Sequence, residues 1–162
     1  MPFKWRGGNI WSPLEKRPVL GGTDSDGSLI YVGRAMHEGM YIPCKIIPTR
    51  NYAAVSYAGE EIPVEAFEYL SGKMKHFQWI TAGDGHVVEG AVSAGDDNGE
   101  ELYIGRAAHD GSVTVGKIHP SHKCLYMPYG GQEIPFHFYE VLVYRKRGIF
   151  TSSADGSSSE SD

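Results

Sequence analysis

Two aspartates and two lysines recur in this chain at one spacing: Asp24 precedes Lys45 by 21 residues, and Asp96 precedes Lys117 by the same distance. A carboxylate accepts hydrogen bonds and an ammonium donates them. Such a pair suits a ligand that offers neighbouring hydroxyls, held by charge-assisted hydrogen bonds. The same residue types also serve as a turn-capping aspartate and an exposed salt bridge, which would hold no ligand. Their duplication sets these pairs apart, because packing explains repeated apolar positions and turn geometry explains repeated glycines, but neither explains a repeated acid and lysine.

The elements that must position them are themselves duplicated. Sliding the 162-residue sequence by 72 positions aligns Gly33-Arg34-Ala35 with Gly105-Arg106-Ala107 without a gap, Lys45-Ile46 with Lys117-Ile118, and Glu61-Ile62-Pro63 with Glu133-Ile134-Pro135. A period of this kind signals tandem units that bury their faces against one another. The polar residues kept in both copies are Asp24/Asp96, Arg34/Arg106, His37/His109, Lys45/Lys117, Tyr57/Tyr129, Glu61/Glu133 and Glu68/Glu140. Upstream, Phe3/Trp5 matches Phe77/Trp79 at a shift of 74, so the loop that follows differs by two residues and each copy opens on an F-x-W strand.

Within a copy, segments 29–36 and 101–108 read as strands entered through the turns DSDG and DDNG, which suit hairpin connections. Further strands are expected over 41–47, 52–57 and 64–70, with equivalents at 113–119, 124–129 and 136–144. Residues 64–72 also admit a helix, with strand favoured. The 21 glycines, nine prolines and ten tyrosines, without a run of helix formers, favour short strands and tight turns. The reading is an all-β fold of two tandem repeats, interlocked with pseudo-two-fold symmetry: residues 1–72, then 73–147 in one compact unit with the first. A Ser/Gly/acidic tail over 148–162 has the composition of disorder.

Charge and hydropathy narrow the function classes. A formal net charge of −5 disfavours nucleic acid, whose binding rests on clustered Lys and Arg. No apolar run approaches the length of a membrane span or a signal peptide, which points to a cytoplasmic protein, with unconventional release as a further route. The two cysteines, Cys44 and Cys124, read as free thiols.

The duplicated pattern D-x-x-G-x-x-x-Y-[VI]-G-R-A-x-H-x-G, then K-[IV]-x-P, then Y-x-G-x-E behind F-x-W, resembles the DM-nine repeat family of invertebrate proteins over residues 3–144. The resemblance implies a mannose-binding lectin of innate recognition, able to agglutinate glycan-coated particles, without a catalytic residue, cofactor or metal. It implies a homodimer, with Asp24 and Lys45 as one sugar-contacting pair and Asp96 and Lys117 as the other. Cys44 stands where the second copy has Gly116, so its side chain is expected to crowd the first site.

Three other readings compete with the lectin. A protein-interaction module could use the same scaffold without sugar. An enzyme could use His37-Glu38 and His109-Asp110 as base and orienter, although neighbours in a strand face opposite ways and no nucleophile motif is present. Metal binding at DSDG or DDNG fails for want of the twelfth-position glutamate of a calcium loop, and His119 with His122 lacks the partners to complete a site.

Overall fold

The computed structural model describes residues 3–146. The tail expected over 148–162 lies outside them. The described chain forms 14 β-strands and three single-turn 3-10 helices. The first copy contributes β1 (Lys4–Asn9), β2 (Leu20–Thr23), β3 (Leu29–His37), β4 (Met40–Ile47), β5 (Tyr52–Tyr57), β6 (Glu60–Pro63) and β7 (Ala66–Ser71). The second contributes β8 (Phe77–Gly83), β9 (Ser93–Asp97), β10 (Glu100–His109), β11 (Ser112–His119), β12 (Cys124–Tyr129), β13 (Gln132–Phe136) and β14 (Phe138–Tyr144).

Tight turns set the hairpin registers. The β3–β4, β5–β6, β9–β10, β10–β11 and β12–β13 turns each place two central residues at positive φ, as at Glu38-Gly39 and Asn98-Gly99. That backbone twist matches the twist of the flanking strands. The DSDG turn is longer, closed by Asp24 N–H to Ser28 O at 2.8 Å and Gly27 N–H to Asp24 O at 2.9 Å. Segment 64–72 is β7 rather than a helix, because its backbone pairs with β1 on one side and β3 on the other.

Read in order, the sheet is a palindrome of the two copies: β1-β7-β3-β4-β5-β6, then β13-β12-β11-β10-β14-β8. The pseudo-two-fold passes through the β6–β13 seam, where Glu61 N–H donates to Gly131 O at 3.0 Å and Glu133 N–H to Gly59 O at 2.9 Å. The copies interlock away from the seam as well. β2 pairs with β3 of its own copy and with β11 of the other, through Thr23 and Val113. Its counterpart β9 runs against β4 so closely that a Cβ on Gly95 would lie 2.0 Å from Tyr41 O, and one on Gly22 would lie 2.0 Å from Val113 O.

One central core draws on both copies, with Val19, Ile30, Val32, Ile47 and Leu70 packed beside Ile104, Val115 and Leu142. Two satellite cores each belong mainly to one copy. The repeated F-x-W and G-R-A motifs meet at the core's edge. Arg34 lies 4.4 Å over the rings of both Trp5 and Tyr41, pairs with Glu68 at 2.7 Å and donates to Ala94 O of the other copy at 3.2 Å. Arg106 repeats this with Trp79 at 4.2 Å, Glu140 at 2.7 Å and Gly21 O at 3.0 Å.

Candidate functional site

Lys45 sits on β4 between Cys44 and Ile46, and strand alternation sends its side chain to the face opposite theirs. Ile42, Cys44 and Ile46 enter the first satellite core, while Lys45 turns toward the other copy. Its Nζ donates to Pro128 O on β12 at 2.7 Å, pairs with Glu61 Oε2 at 3.2 Å and stands 5.6 Å from the centre of the Tyr129 ring. The expected crowding by Cys44 does not occur, because its thiol lies in the core. Burial pushes that thiol up to about 12, which leaves it protonated and inert near neutral pH. Gly116 has a separate reason: a Cβ there would meet Tyr126 O at 2.3 Å.

Glu61 is held from three sides. Tyr52 donates its hydroxyl to Oε2 at 2.6 Å, Gly131 N–H reaches Oε1 at 2.9 Å, and Lys45 completes the set. Burial alone would raise this carboxyl, but the Tyr52 hydrogen bond and the Lys45 charge outweigh it and hold Glu61 below its ordinary value. Burial lowers Lys45, with Glu61 opposing that effect. Tyr52 is raised, first by burial and then by the hydrogen bond to Glu61.

Asp24 does not form a salt bridge with Lys45. It accepts from Ser25 N–H at 2.7 Å and from the Arg50 guanidinium, carried on the 3-10 turn Pro48–Arg50. Asp24 and Lys45 nonetheless line one open cavity of about 450 Å³, together with Arg50, Tyr52, Glu61 and, from the other copy, Tyr129 and Gly130. The site therefore lies across the repeat interface. An ammonium has three donors, of which Lys45 directs one to Pro128 O and a second to Glu61, so one is left for a ligand beside the Asp24 carboxylate.

The second copy reproduces the buried half of this arrangement. Lys117 Nζ donates to Ser56 O at 2.7 Å, lies 2.9 Å from Glu133 Oε2, and stands 5.6 Å from the Tyr57 and Tyr126 rings. That ion pair is close but not aligned as a hydrogen bond, so Glu133 Oε2 is buried without a hydrogen-bond donor. Gly59 N–H holds Glu133 Oε1 at 2.9 Å, the mirror of Gly131 on Glu61.

The rim differs between copies. Asp96 accepts from Gly99 N–H at 2.8 Å within its turn. His122 and Cys124 occupy the positions of Arg50 and Tyr52. His122 stacks on His119 at 3.6 Å and its Nδ1 lies 2.9 Å from the Tyr126 hydroxyl, while His119 Nε2 meets Asp97 Oδ2 at 2.8 Å. The two histidines are thus engaged by neighbours. Among the described residues, no group of three or more His, Cys, Asp or Glu is arranged to hold a metal ion.

His37 and His109 pack edge-on against Tyr57 and Tyr129 at 4.8 and 4.9 Å, the tyrosines that flank the two lysines. Glu38 is not a strand neighbour but the first residue of a turn at positive φ, and its carboxylate stays 4.0 Å from His37.

The DM9 repeat pattern matches residues 24–136, well over half of the chain and spanning both copies from the first site aspartate to the end of β13. The chain belongs to the DM9 repeat family. It is 27% identical over 137 residues to natterin-3 of Thalassophryne nattereri, covering 83% of this chain and 32% of natterin-3. Its fold is similar to that of the nematode sperm cell motility protein MFP2B, with a TM-score of 0.61 at 14% identity over 89% of this chain and 46% of that one. The chain thus spans about a third of the one and just under half of the other, and the second likeness is one of fold alone. DM9 membership points to a carbohydrate-binding or interaction module.

Sequence reasoning singled out Asp24, Lys45, Asp96 and Lys117 but left Glu61 and Glu133 among the kept residues without a role. The signal was present in their duplication. The partner of each glutamate could not be read, because the lysine it meets is fixed by strand order and the backbone it meets belongs to the other copy.

Proposed function

We propose that the protein is a non-catalytic lectin that recognises mannose-type glycans, with Asp24 and Lys45 contacting sugar at one site and Asp96 and Lys117 at the other. The observation that carries this reading is the shared cavity of Asp24 and Lys45, walled by Tyr129 of the opposite copy. A buried lysine pre-set by Glu61 and a rim aspartate present a donor and an acceptor at fixed positions. Neighbouring hydroxyls of a pyranose match such a pair. Tyr129 offers an apolar surface beside it.

A single monosaccharide site of this kind binds weakly, on the order of millimolar. Two sites per chain, and more in a homodimer, would engage an arrayed glycan on a microbial or host surface roughly 10²–10⁴ more tightly where the spacing allows. Agglutination of glycan-coated particles follows from that valency.

Calorimetric titration with mannose, with galactose as the control and a chelator throughout, tests the reading. The expected outcome is mannose-selective binding at two sites per chain, unaffected by the chelator. Binding of neither sugar by folded protein would transfer the assignment to a protein-interaction module, and loss of binding with the chelator would sink the metal-free site.

A further inference from the structure

We infer that a basic cleft in the first repeat, between β1 and segment 15–18, binds a phosphate ester bearing more than one phosphate group. Lys4, Arg6, Lys16 and Arg17 line one open cavity of about 460 Å³, with Glu15 as its one carboxylate and the buried Ser71 beside them. This surplus of cations stands in a chain whose formal net charge is −5. Among the described residues, none of the four pairs with a carboxylate. The cleft shares no lining residue with the Asp24–Lys45 cavity, so it stands whether or not that cavity binds sugar.

Strand register and a pinned segment bring the charges together. Lys4 faces Ser71 and Arg6 faces Tyr69, so alternation puts these four side chains on one face of β1 and β7 while Trp5 and Leu70 turn to the central core. Segment 15–18 crosses that face. Lys16 N–H donates to the Tyr69 hydroxyl at 3.2 Å, the Ser71 hydroxyl donates to Lys16 O, and Gly72 N–H donates to Arg17 O at 3.1 Å. Arg6 Nε donates to Ser71 Oγ at 3.0 Å, which fixes the guanidinium and leaves its two terminal nitrogens for an oxyanion.

The second repeat builds the same scaffold without the charge. Tyr144 N–H donates to Gly90 O as Gly72 N–H does to Arg17 O, and Gln78 and Ile80 face Val143 and Val141 where Lys4 and Arg6 face Ser71 and Tyr69. Glu89 and Gly90 thus stand at the positions of Lys16 and Arg17. The fold therefore needs none of the four cations. Arg17 also holds φ at +50°, a left-handed conformation that its counterpart Gly90 adopts freely at +90°. A long side chain at a position where glycine is the relaxed choice points to a role outside the fold. Two guanidiniums and two ammoniums exceed what one phosphate group neutralises, and a guanidinium meets phosphate oxygens in bidentate pairs. The cleft is large enough for a phosphorylated ring.

Calorimetric titration of the full chain with inositol trisphosphate tests the site, with inorganic phosphate and inositol for comparison. One inositol trisphosphate should bind per chain, roughly 10-fold or more tightly than inorganic phosphate, with inositol not bound and added salt weakening the affinity. Lys16→Glu combined with Arg17→Gly copies the second repeat. That variant should bind roughly 100-fold more weakly, the scale of two charge-assisted contacts, and should keep its urea midpoint, because glycine relaxes position 17. Sedimentation with phosphatidylcholine vesicles, with and without phosphatidylinositol bisphosphate, separates the sources of the phosphate. Phosphoinositide-dependent sedimentation assigns a lipid headgroup, and binding of free inositol trisphosphate alone assigns a soluble ester. No binding of inositol trisphosphate by folded protein, or an affinity that the double variant retains, would overturn the site. Capture of heparin by a protein that ignores inositol trisphosphate would replace the phosphate ester with a sulfated polysaccharide.

Discussion

Lys45 and Glu61 are buried together at 5% and 8% side-chain exposure, so neither can lose its partner cheaply. Lys45→Ala should abolish mannose binding at the first site and lower stability by about 3 kcal/mol, because Glu61 would remain charged and largely buried with its cationic partner gone. An apolar double replacement, Lys45→Met with Glu61→Leu, should recover most of that stability and none of the binding. Urea unfolding beside calorimetry separates the two effects, and recovery of both would remove the pair from the site. The acid limb follows from the same glutamate. In the unfolded chain Glu61 regains the ordinary value of 4.5, whereas in the native protein it titrates lower. Between the two values the unfolded chain holds a proton that the native one does not, so the stability is complete above 4.5 and is lost as the pH falls through the native value. Glu61→Gln should flatten the dependence of the urea midpoint on pH as the pH falls below 4.5; an unchanged slope would show that other carboxylates set it.

At the scale of elements, β2 and β9 are, with β6 and most of β13, strands that the sequence conceals. Leu20–Thr23 reads LGGT and Ser93–Asp97 reads SAGDD, neither of which has the branched or aromatic content of a strand. They are strands because their glycines let backbone approach backbone across the repeat interface. Gly95→Ala would drive a methyl group into Tyr41 O, and no side-chain rotation relieves a clash with a carbonyl. The expected cost is about 3 kcal/mol or more, read as a lowered urea midpoint. Gly59→Ala, with nothing within 4 Å of the added carbon, should cost less and only through its φ of +87°. Similar losses at the two positions would disprove the close crossing of β9 on β4. Of segment 136–144, expected as one strand, residues 138–144 form β14, and a break at His137 leaves Phe136 as the last residue of β13, which starts at Gln132. The break lets β13 pair with β12 while β14 pairs with β8 and β10, a choice of partners that no local pattern encodes.

The whole molecule is built of two interlocked halves that share one central core. Lys45 bonds to a carbonyl of the second copy and Lys117 to one of the first. Arg34 and Arg106 reach across in the same way. A chain ending after residue 72 would leave half of the central core and the β6 edge open to water, a surface that pairs readily with another strand. Residues 1–72 alone should therefore be unfolded, or should assemble as a two-fold pair of identical halves that re-forms the β6 seam. Circular dichroism with size-exclusion chromatography distinguishes these outcomes, and a folded monomeric half would contradict the interlocked core.

The sequence by itself determined the duplication, the all-β class, most strand positions and the repeated Asp/Lys spacing. Those are local or periodic properties: strand content follows from residue type and turn chemistry, and a repeat is visible by self-comparison. Only the tertiary structure decided that Lys45 and Lys117 are buried, that each is neutralised by a glutamate rather than by the aspartate it accompanies in sequence, and that each site is closed by the opposite copy. Cys44 illustrates the limit. Its neighbour in sequence is a site residue, yet alternation along β4 sends the thiol into the core and the ammonium to the repeat interface. Which side chains share a cavity depends on the order in which strands pair, and that order is set by burying two amphipathic halves against each other rather than by any spacing along the chain.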